Sequence, residues 1–481
     1  MNHRSVFKML GLTLRLEAIL MLLPLVVSLI YGEDCVTAFI AAIAIAFGAG
    51  VILKLISGKE ENMVLAREGL VTVAAAWVFL SAVGALPFYF SGEIPSYTDA
   101  FFETVSGFTT TGASVITDVE SLSYGILFWR SFTHWIGGMG VIVLVMAITP
   151  TSSGRSMHVM RAEMPGPIVG KLLPRVRDTA KILYLIYIAL TVAEILFLVA
   201  GDMNLYESIV YSFGTAGTGG FGIRGDSVGG YSAYSQWVIT AFMLIFGVNF
   251  NIYFLILMGR VKNVLKSDEL RAYILIVVAA IGVVAVNIYH LFGNLADTMR
   301  YASFQVASII TTTGYATADF NLWPGTSKII LLLLMFVGAC AGSTAGGLKV
   351  SRIVIMFKTL GNNLRKMLRP RSVTTVRFEG KAVDEATRRG VGEYLMLYLF
   401  LYAAFMILIS FEPFDFETNF SAIAACINNV GPGFSAVGPA ASYASYSAFS
   451  KYILSFAMLL GRLELYPILL ALMPSTWIKK N

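Results

Sequence analysis

Cysteine is nearly missing from this chain, with three in 481 residues: Cys35, Cys340 and Cys426. An odd number without metal-ligand spacing supports neither a disulfide framework nor a zinc site, and the three read as small apolar packing residues. Histidine is as sparse. His3, His134, His158 and His290 lie far apart, and no His-Glu-x-x-His run exists to hold a catalytic metal. Charge is scarce too: charged residues make up 13% of the chain, against about a quarter in soluble domains, while 57% are hydrophobic and mean hydropathy is +0.74. These shortages exclude a soluble globular protein. With no converging acid, base or metal groups they also argue against a membrane enzyme, and no cofactor is expected. An all-helical polytopic membrane protein remains.

Two motif matches are declined on context. Gly217-x-Gly219-x-x-Gly222 fits the dinucleotide fingerprint, but no strand precedes it, and Gly342 to Lys349 lacks the Gly-Lys-Ser/Thr order of a phosphate loop. The amino terminus carries Arg4 and Lys8 before an apolar run but no small-x-small cleavage site, so that run reads as a retained helix.

Ten apolar stretches approach the roughly 20 residues needed to cross a bilayer. They lie near residues 14–31, 36–56, 70–90, 126–148, 182–200, 238–258, 273–292, 329–348, 394–411 and 453–473. Most of the 35 basic residues fall on one side of this arrangement: the amino terminus, residues 53–67, 150–181, 260–271, 349–389 and the Lys479-Lys480 tail. That side is expected to be cytoplasmic, with both termini inside. The same loops account for the net charge of +6 without any nucleic acid. The opposite side carries Glu93, Asp99, Asp118, Glu120, Asp202, Asp226, Asp319, Glu412, Asp415 and Glu417, an acidic face through which cations would enter.

One short stretch is written more than once. Thr109-Thr110-Thr111-Gly112 returns as Thr311-Thr312-Thr313-Gly314, each copy with Phe ten residues earlier (Phe102, Phe304) and Ser six earlier (Ser106, Ser308). Fainter copies occur at Gly217-Thr218-Gly219-Gly220 and Asn428-Asn429-Val430-Gly431. This frame aligns Gly112, Gly219, Gly314 and Gly431, each bracketed by two apolar stretches. The predicted organisation is two extra amino-terminal helices (1–60) followed by four repeats at 61–165, 166–265, 266–385 and 386–481.

The apolar segments before the four glycines, about 98–108, 205–213, 301–310 and 418–427, are some ten residues long and reach only about 15 Å as helices. They cannot span. A short helix followed by extended backbone at membrane depth is tolerated where protein or a water-filled cavity covers it, so four re-entrant pore loops are expected in addition to the ten spans. Backbone carbonyls and Thr hydroxyls can replace the hydration shell of a cation, and glycine allows the backbone angles that aim those carbonyls inward.

Two further features stand out. The run Gly338 to Gly347 is too glycine-rich to remain uniformly helical, each glycine weakening a helix by about 1 kcal/mol relative to alanine, and reads as a flexible intramembrane loop, with close helix packing through small residues as the alternative. Arg462 falls inside the last apolar stretch, where an arginine is costly enough to be a functional candidate, although an ion pair with another helix would also explain it. Glu194 and Lys349 lie nearer the ends of their stretches and read as snorkelling side chains.

At this point the sequence resembles the Trk/Ktr/HKT superfamily of potassium transporters, and within it the bacterial TrkH-type pore subunit, over essentially all of residues 1–481. The resemblance implies one potassium-conducting pore in the bacterial inner membrane, ringed by four helix–loop–helix repeats. It implies ion-binding filter residues Thr110, Thr111, Gly112, Gly217, Thr218, Gly219, Thr312, Thr313, Gly314, Asn429, Val430 and Gly431. It implies a gate below them, built from Gly338, Gly342, Ser343, Thr344, Gly346, Gly347 and Arg462. It also implies a homodimer on a cytosolic ring of nucleotide-binding regulatory subunits of the TrkA type, docked at the basic loops and the Arg155 to Arg177 stretch. Members with serine at the first filter glycine are linked to sodium permeation, so four glycines favour potassium. The competing readings are a sodium-permeable member of the superfamily and a solute transporter built on broken helices, which would predict inverted two-fold repeats.

Overall fold

The computed structural model describes residues 3–58, 66–140, 176–371 and 375–477. The Arg155 to Arg177 stretch up to residue 175, the distal part of the 126–148 stretch and the Lys479-Lys480 tail lie outside them. The described residues are helical apart from loops and a two-residue antiparallel ladder, Arg377–Phe378 with Lys381–Ala382.

Six helices are long and apolar enough to cross a membrane: His3–Tyr31, Val36–Ser57, Glu68–Phe90, Asp178–Val199, Asp268–Phe292 and Glu385–Ile409. A seventh candidate, Ala233–Phe246 with Phe250–Leu257, bends by 89° at Asn249. The expected count of ten spans is therefore met only in part. Three of the other stretches give helices of 13 to 15 residues: Tyr124–Gly138, Gly325–Val337 and Ala448–Arg462. At 1.5 Å per residue these reach about 20 Å, short of a 30 Å hydrocarbon core.

Glycines at or beside these helix ends let backbone pass close beneath the central loops. A Cβ on Gly137 would fall 1.9 Å from the Phe108 carbonyl oxygen, and one on Gly461 would fall 2.0 Å from that of Ile427. Hydropathy alone runs through such breaks, because the residues on either side are equally apolar.

Four short helices stand between the long ones: Tyr97–Phe108, Leu205–Gly217, Leu295–Ile310 and Phe416–Ile427. Each begins at a side-chain cap that satisfies an otherwise orphaned amide. Ser96 accepts from Asp99 N, Asn204 forms a reciprocal box with Glu207, Asn294 accepts from Ala296 N, and Asp415 accepts from Thr418 N. Each ends in a largely buried, non-helical loop.

The outer ends of the flanking helices are stapled in one repeated way. The amide and hydroxyl of a serine at the start of the second helix both donate to a side chain at the end of the first. Ser123 meets Glu93, Ser232 meets Asp202, Ser327 meets Asn287 and Ser447 meets Glu412. Three of the acids assigned above to an ion-attracting face are thus engaged in holding helix pairs together.

Candidate ion filter and gate

The four buried loops share one backbone conformation. Thr110, Thr218, Thr312 and Asn429 are left-handed with φ of 55–57°, and Gly112, Gly220, Gly314 and Gly431 follow two residues later with φ of 80–97°. Left-handed backbone costs a residue with a side chain about 1–2 kcal/mol, so four such residues in register mark a conformation imposed by the surroundings. Hydrogen bonding repeats as well: the amides of Thr111, Gly219, Thr313 and Val430 donate to Ser106 O, Gly214 O, Ser308 O and Ala425 O, each at 2.8 Å.

This register corrects the sequence frame in one loop. Gly220, not Gly219, is level with Gly112, Gly314 and Gly431. Gly219 is level with Thr111, and Gly217 lies below at the end of its helix. Three glycines between residues 217 and 220 left the sequence frame free to slip by one. The fourth loop, least like the first in sequence, keeps its place, because asparagine tolerates the left-handed region.

The loops close into a ring. A Cβ on Gly112 would fall 2.0 Å from Gly219 O, on Gly220 2.0 Å from Thr313 O, on Gly314 2.3 Å from Val430 O, and on Gly431 2.5 Å from Thr111 O. Each glycine is therefore packed on a carbonyl of the next loop, in the order first, second, third, fourth, first. The four glycines open on one cavity of about 310 Å³. Its lining includes Arg130, Arg224, Ser114 and Tyr443 but, among the described residues, no carboxylate.

Beneath the ring, Gly325–Val337 stops at Gly338 and helix resumes at Val350. The intervening segment turns at left-handed Gly338, Gly342 and Gly347. Gly346 N donates to Thr312 Oγ1 at 2.7 Å, and a Cβ on Gly346 would fall 2.2 Å from Asn428 O, so the segment lies against the third and fourth loops from below. Gly342 O accepts from Phe250 N at the bend of the second repeat, while Ser343 Oγ donates to Cys340 O within the segment.

Arg462 ties this segment to another repeat. Its guanidinium donates to Thr344 O at 2.7 Å and to Gly137 O and Gly138 O at 2.5 and 2.6 Å. Glu464 turns away to pair with Arg352, which also lies over Tyr394. Neither Glu194 nor Lys349 snorkels: both are buried, Glu194 on the inner face of its helix and Lys349 donating from Nζ to Ala345 O. The break at Gly338 carries Lys349 into the interior, which its distance along an apparent span did not reveal.

A family model described as TrkH, cation transport protein, matches residues 36–480. The chain belongs to the TrkH family. It is 37% identical over 487 residues to the Trk system potassium uptake protein TrkH of Escherichia coli (strain K12), covering 99% of this chain and 100% of the relative. To the potassium uptake protein TrkG of the same strain it is 33% identical over 479 residues, covering 98% of each. The crystal structure of the potassium transporter TrkH from Vibrio parahaemolyticus matches with a TM-score of 0.90 at 33% identity, over 99% of this chain and 100% of that one. This is a family of transporters, not of enzymes.

Two buried residues of this TrkH-family chain escaped the sequence reading. Arg130 Nε meets Glu103 Oε1 at 2.6 Å, and its guanidinium lies 3.6 Å over the Phe221 ring while donating to Gly222 O. Glu103 in turn accepts from Ser114 Oγ and Val115 N, so the pair clamps the outer part of the first two loops. The signal was available: Arg130 sits inside an apolar stretch just as Arg462 does.

Proposed function

We propose that this chain carries potassium ions into the cell across the bacterial inner membrane through one pore, with both termini on the cytoplasmic side. The observation that carries the reading is the closed ring, in which four loops of one backbone conformation interlock glycine against carbonyl and open on a shared vestibule. The relatives' names supply the ion. In the corrected register the coordinating carbonyls are those of Thr110 and Thr111, Thr218 and Gly219, Thr312 and Thr313, and Asn429 and Val430. Ions enter without help from a carboxylate in the vestibule wall and exchange water for these oxygens.

The 338–349 segment obstructs the path below, and Arg462 adds a positive charge at the same level while pinning the segment to Gly137 and Gly138. Withdrawal of the segment opens the path. A homodimer on a cytosolic ring of nucleotide-binding subunits of the TrkA type supplies the regulation, and the repeats divide near residues 60, 165, 265 and 385.

The test is potassium, rubidium and sodium flux into proteoliposomes holding the purified chain, alone and with regulatory subunits, for wild type, Gly112→Ser and Gly220→Ser. Potassium and rubidium uptake is expected to fall in both variants, and what remains is expected to lose its discrimination against sodium. Absence of cation flux under every condition, or discrimination indifferent to both glycines, would overturn the reading.

A further inference from the structure

The second filter loop lacks the side chains that brace the others. In the first loop Thr109 and Thr111 join hydroxyls at 2.8 Å, and Thr109 donates back to Val105 O. The third loop repeats this with Thr311, Thr313 and Ala307 O. In the fourth, Asn428 donates to Ala424 O and exchanges hydrogen bonds with Tyr398. The same two positions of the second loop are Gly217 and Gly219, which carry no side chain at all.

Their space is filled from another repeat. A Cβ on Gly219 would fall 2.3 Å from His134 Cγ, in the imidazole, while one on Gly217 would fall 2.3 Å from the His134 backbone carbonyl oxygen. His134 is fully buried on Tyr124–Gly138, and its Nδ1 donates to Gly107 O in the first pore helix at 2.7 Å. One ring face lies against Phe221 with centroids 4.2 Å apart, and Arg130 covers the same phenylalanine. Arg130 and His134 are four residues apart and so share a helix face, which is the face turned to this loop.

We infer that His134 is a positioning residue for the second filter loop, its imidazole standing in for the side chain that Gly219 omits and so setting discrimination between potassium and sodium. A loop with glycine at three of four consecutive positions has no intrinsic preference for one backbone state. Without a wedge behind it, the Gly219 carbonyl is free to move inward around a smaller ion, and size discrimination depends on carbonyls that resist such movement. The first and third loops are braced by their own threonine pairs, and the fourth by Asn428 with Tyr398. This inference rests on the filter reading above.

The experiment moves the side chain from the helix to the loop. Proteoliposome fluxes of potassium and sodium are compared for His134→Ala, Gly219→Thr and the double variant, with folding of each followed by gel filtration in detergent. His134→Ala is expected to keep potassium flux while discrimination against sodium falls about tenfold or more. Gly219→Thr alone drives a side chain into the imidazole and abolishes most transport. The double variant, with threonine where the first and third loops have it, recovers discrimination to within about threefold of wild type.

Wild-type discrimination in His134→Ala, or a double variant no better than Gly219→Thr, would overturn the inference. Where His134→Ala fails to fold, the double variant decides alone: it folds and discriminates, or the inference falls. A wild type that carries no potassium, or a Gly112→Ser variant as selective as wild type, would instead sink the filter reading itself and this inference with it, since neither involves His134.

Discussion

Two parts of the chain leave the helix in the buried centre of the molecule, and they are held in opposite ways. In the filter ring the left-handed residue, its amide bond to the pore helix and its glycine–carbonyl contact all occur four times, and each loop is packed by the next. Among the described residues, the 338–349 segment has no counterpart in another repeat. It is held by separate hydrogen bonds to several elements: Thr312 Oγ1 accepts from Gly346 N above, Arg462 donates to Thr344 O from the side, Gly247 O and Glu269 accept from Cys340 N and Ala341 N, and Phe250 N donates to Gly342 O. Fourfold repetition makes the ring mutually supporting, so that no loop can move without displacing its neighbour. A segment held by non-repeating hydrogen bonds can leave without disturbing the ring once they are broken, which fits the proposed division into a filter and a gate.

Breaking the ring is expected to have the largest effect. In Gly220→Ala or Gly431→Ala the new methyl meets a neighbouring carbonyl well inside contact distance, and potassium uptake falls on the order of a hundredfold, as for other misplacements of about 1 Å in a preorganised site. Flux measurements check this, and near-normal uptake in both would mean the loops are not locked together. At the proposed gate, Arg462→Met removes the donors to Thr344 O, Gly137 O and Gly138 O. Flux without regulatory subunits then rises by about tenfold, at unchanged selectivity, as expected when roughly 1.4 kcal/mol of closed-state preference is lost.

Stability sharpens the contrast. Arg130→Ala leaves Glu103 buried without its partner, which costs about 3–5 kcal/mol, and the melting temperature in detergent drops clearly. Arg462→Met barely moves it. The smallest effect concerns the outer staples. At Asp202 and Glu412 partial burial raises the carboxyl, but hydrogen bonds from Ser232 and Ser235, and from Ser447 and Ser450, outweigh it and hold both below the usual carboxylate range. A lowered folded value means the stabilisation is present above the unfolded value and is lost as pH falls through the folded one. Asp202→Asn and Glu412→Gln should therefore flatten the decline of thermal stability below about pH 4, while leaving selectivity at neutral pH unchanged.

The pore helices were legible because a repeat exposes itself: Phe102 and Phe304, Ser106 and Ser308, and two Thr-Thr-Thr-Gly runs fixed where each short helix ends. The helix break at Gly338 was legible from glycine content. The slip at Gly219 was not avoidable from residue types, since the partner that explains a glycine there is His134, 85 residues earlier and on another element. The bend at Asn249 and the stop at Arg462 were hidden by apolar residues on both sides, so hydropathy counted spans where the backbone turns. Arg130 was overlooked although the rule that singled out Arg462 applies to it equally.

The contact order around the ring has a consequence for synthesis. Gly431 closes on Thr111 across 320 residues of chain, so the circle lacks its last quarter until nearly the whole polypeptide has left the ribosome. Loop closure over such distances is slow compared with forming the local helices. A nascent chain with three repeats in the membrane has its short helices but not the closed ring, so on the proposed function it holds no complete filter until the fourth repeat is in place.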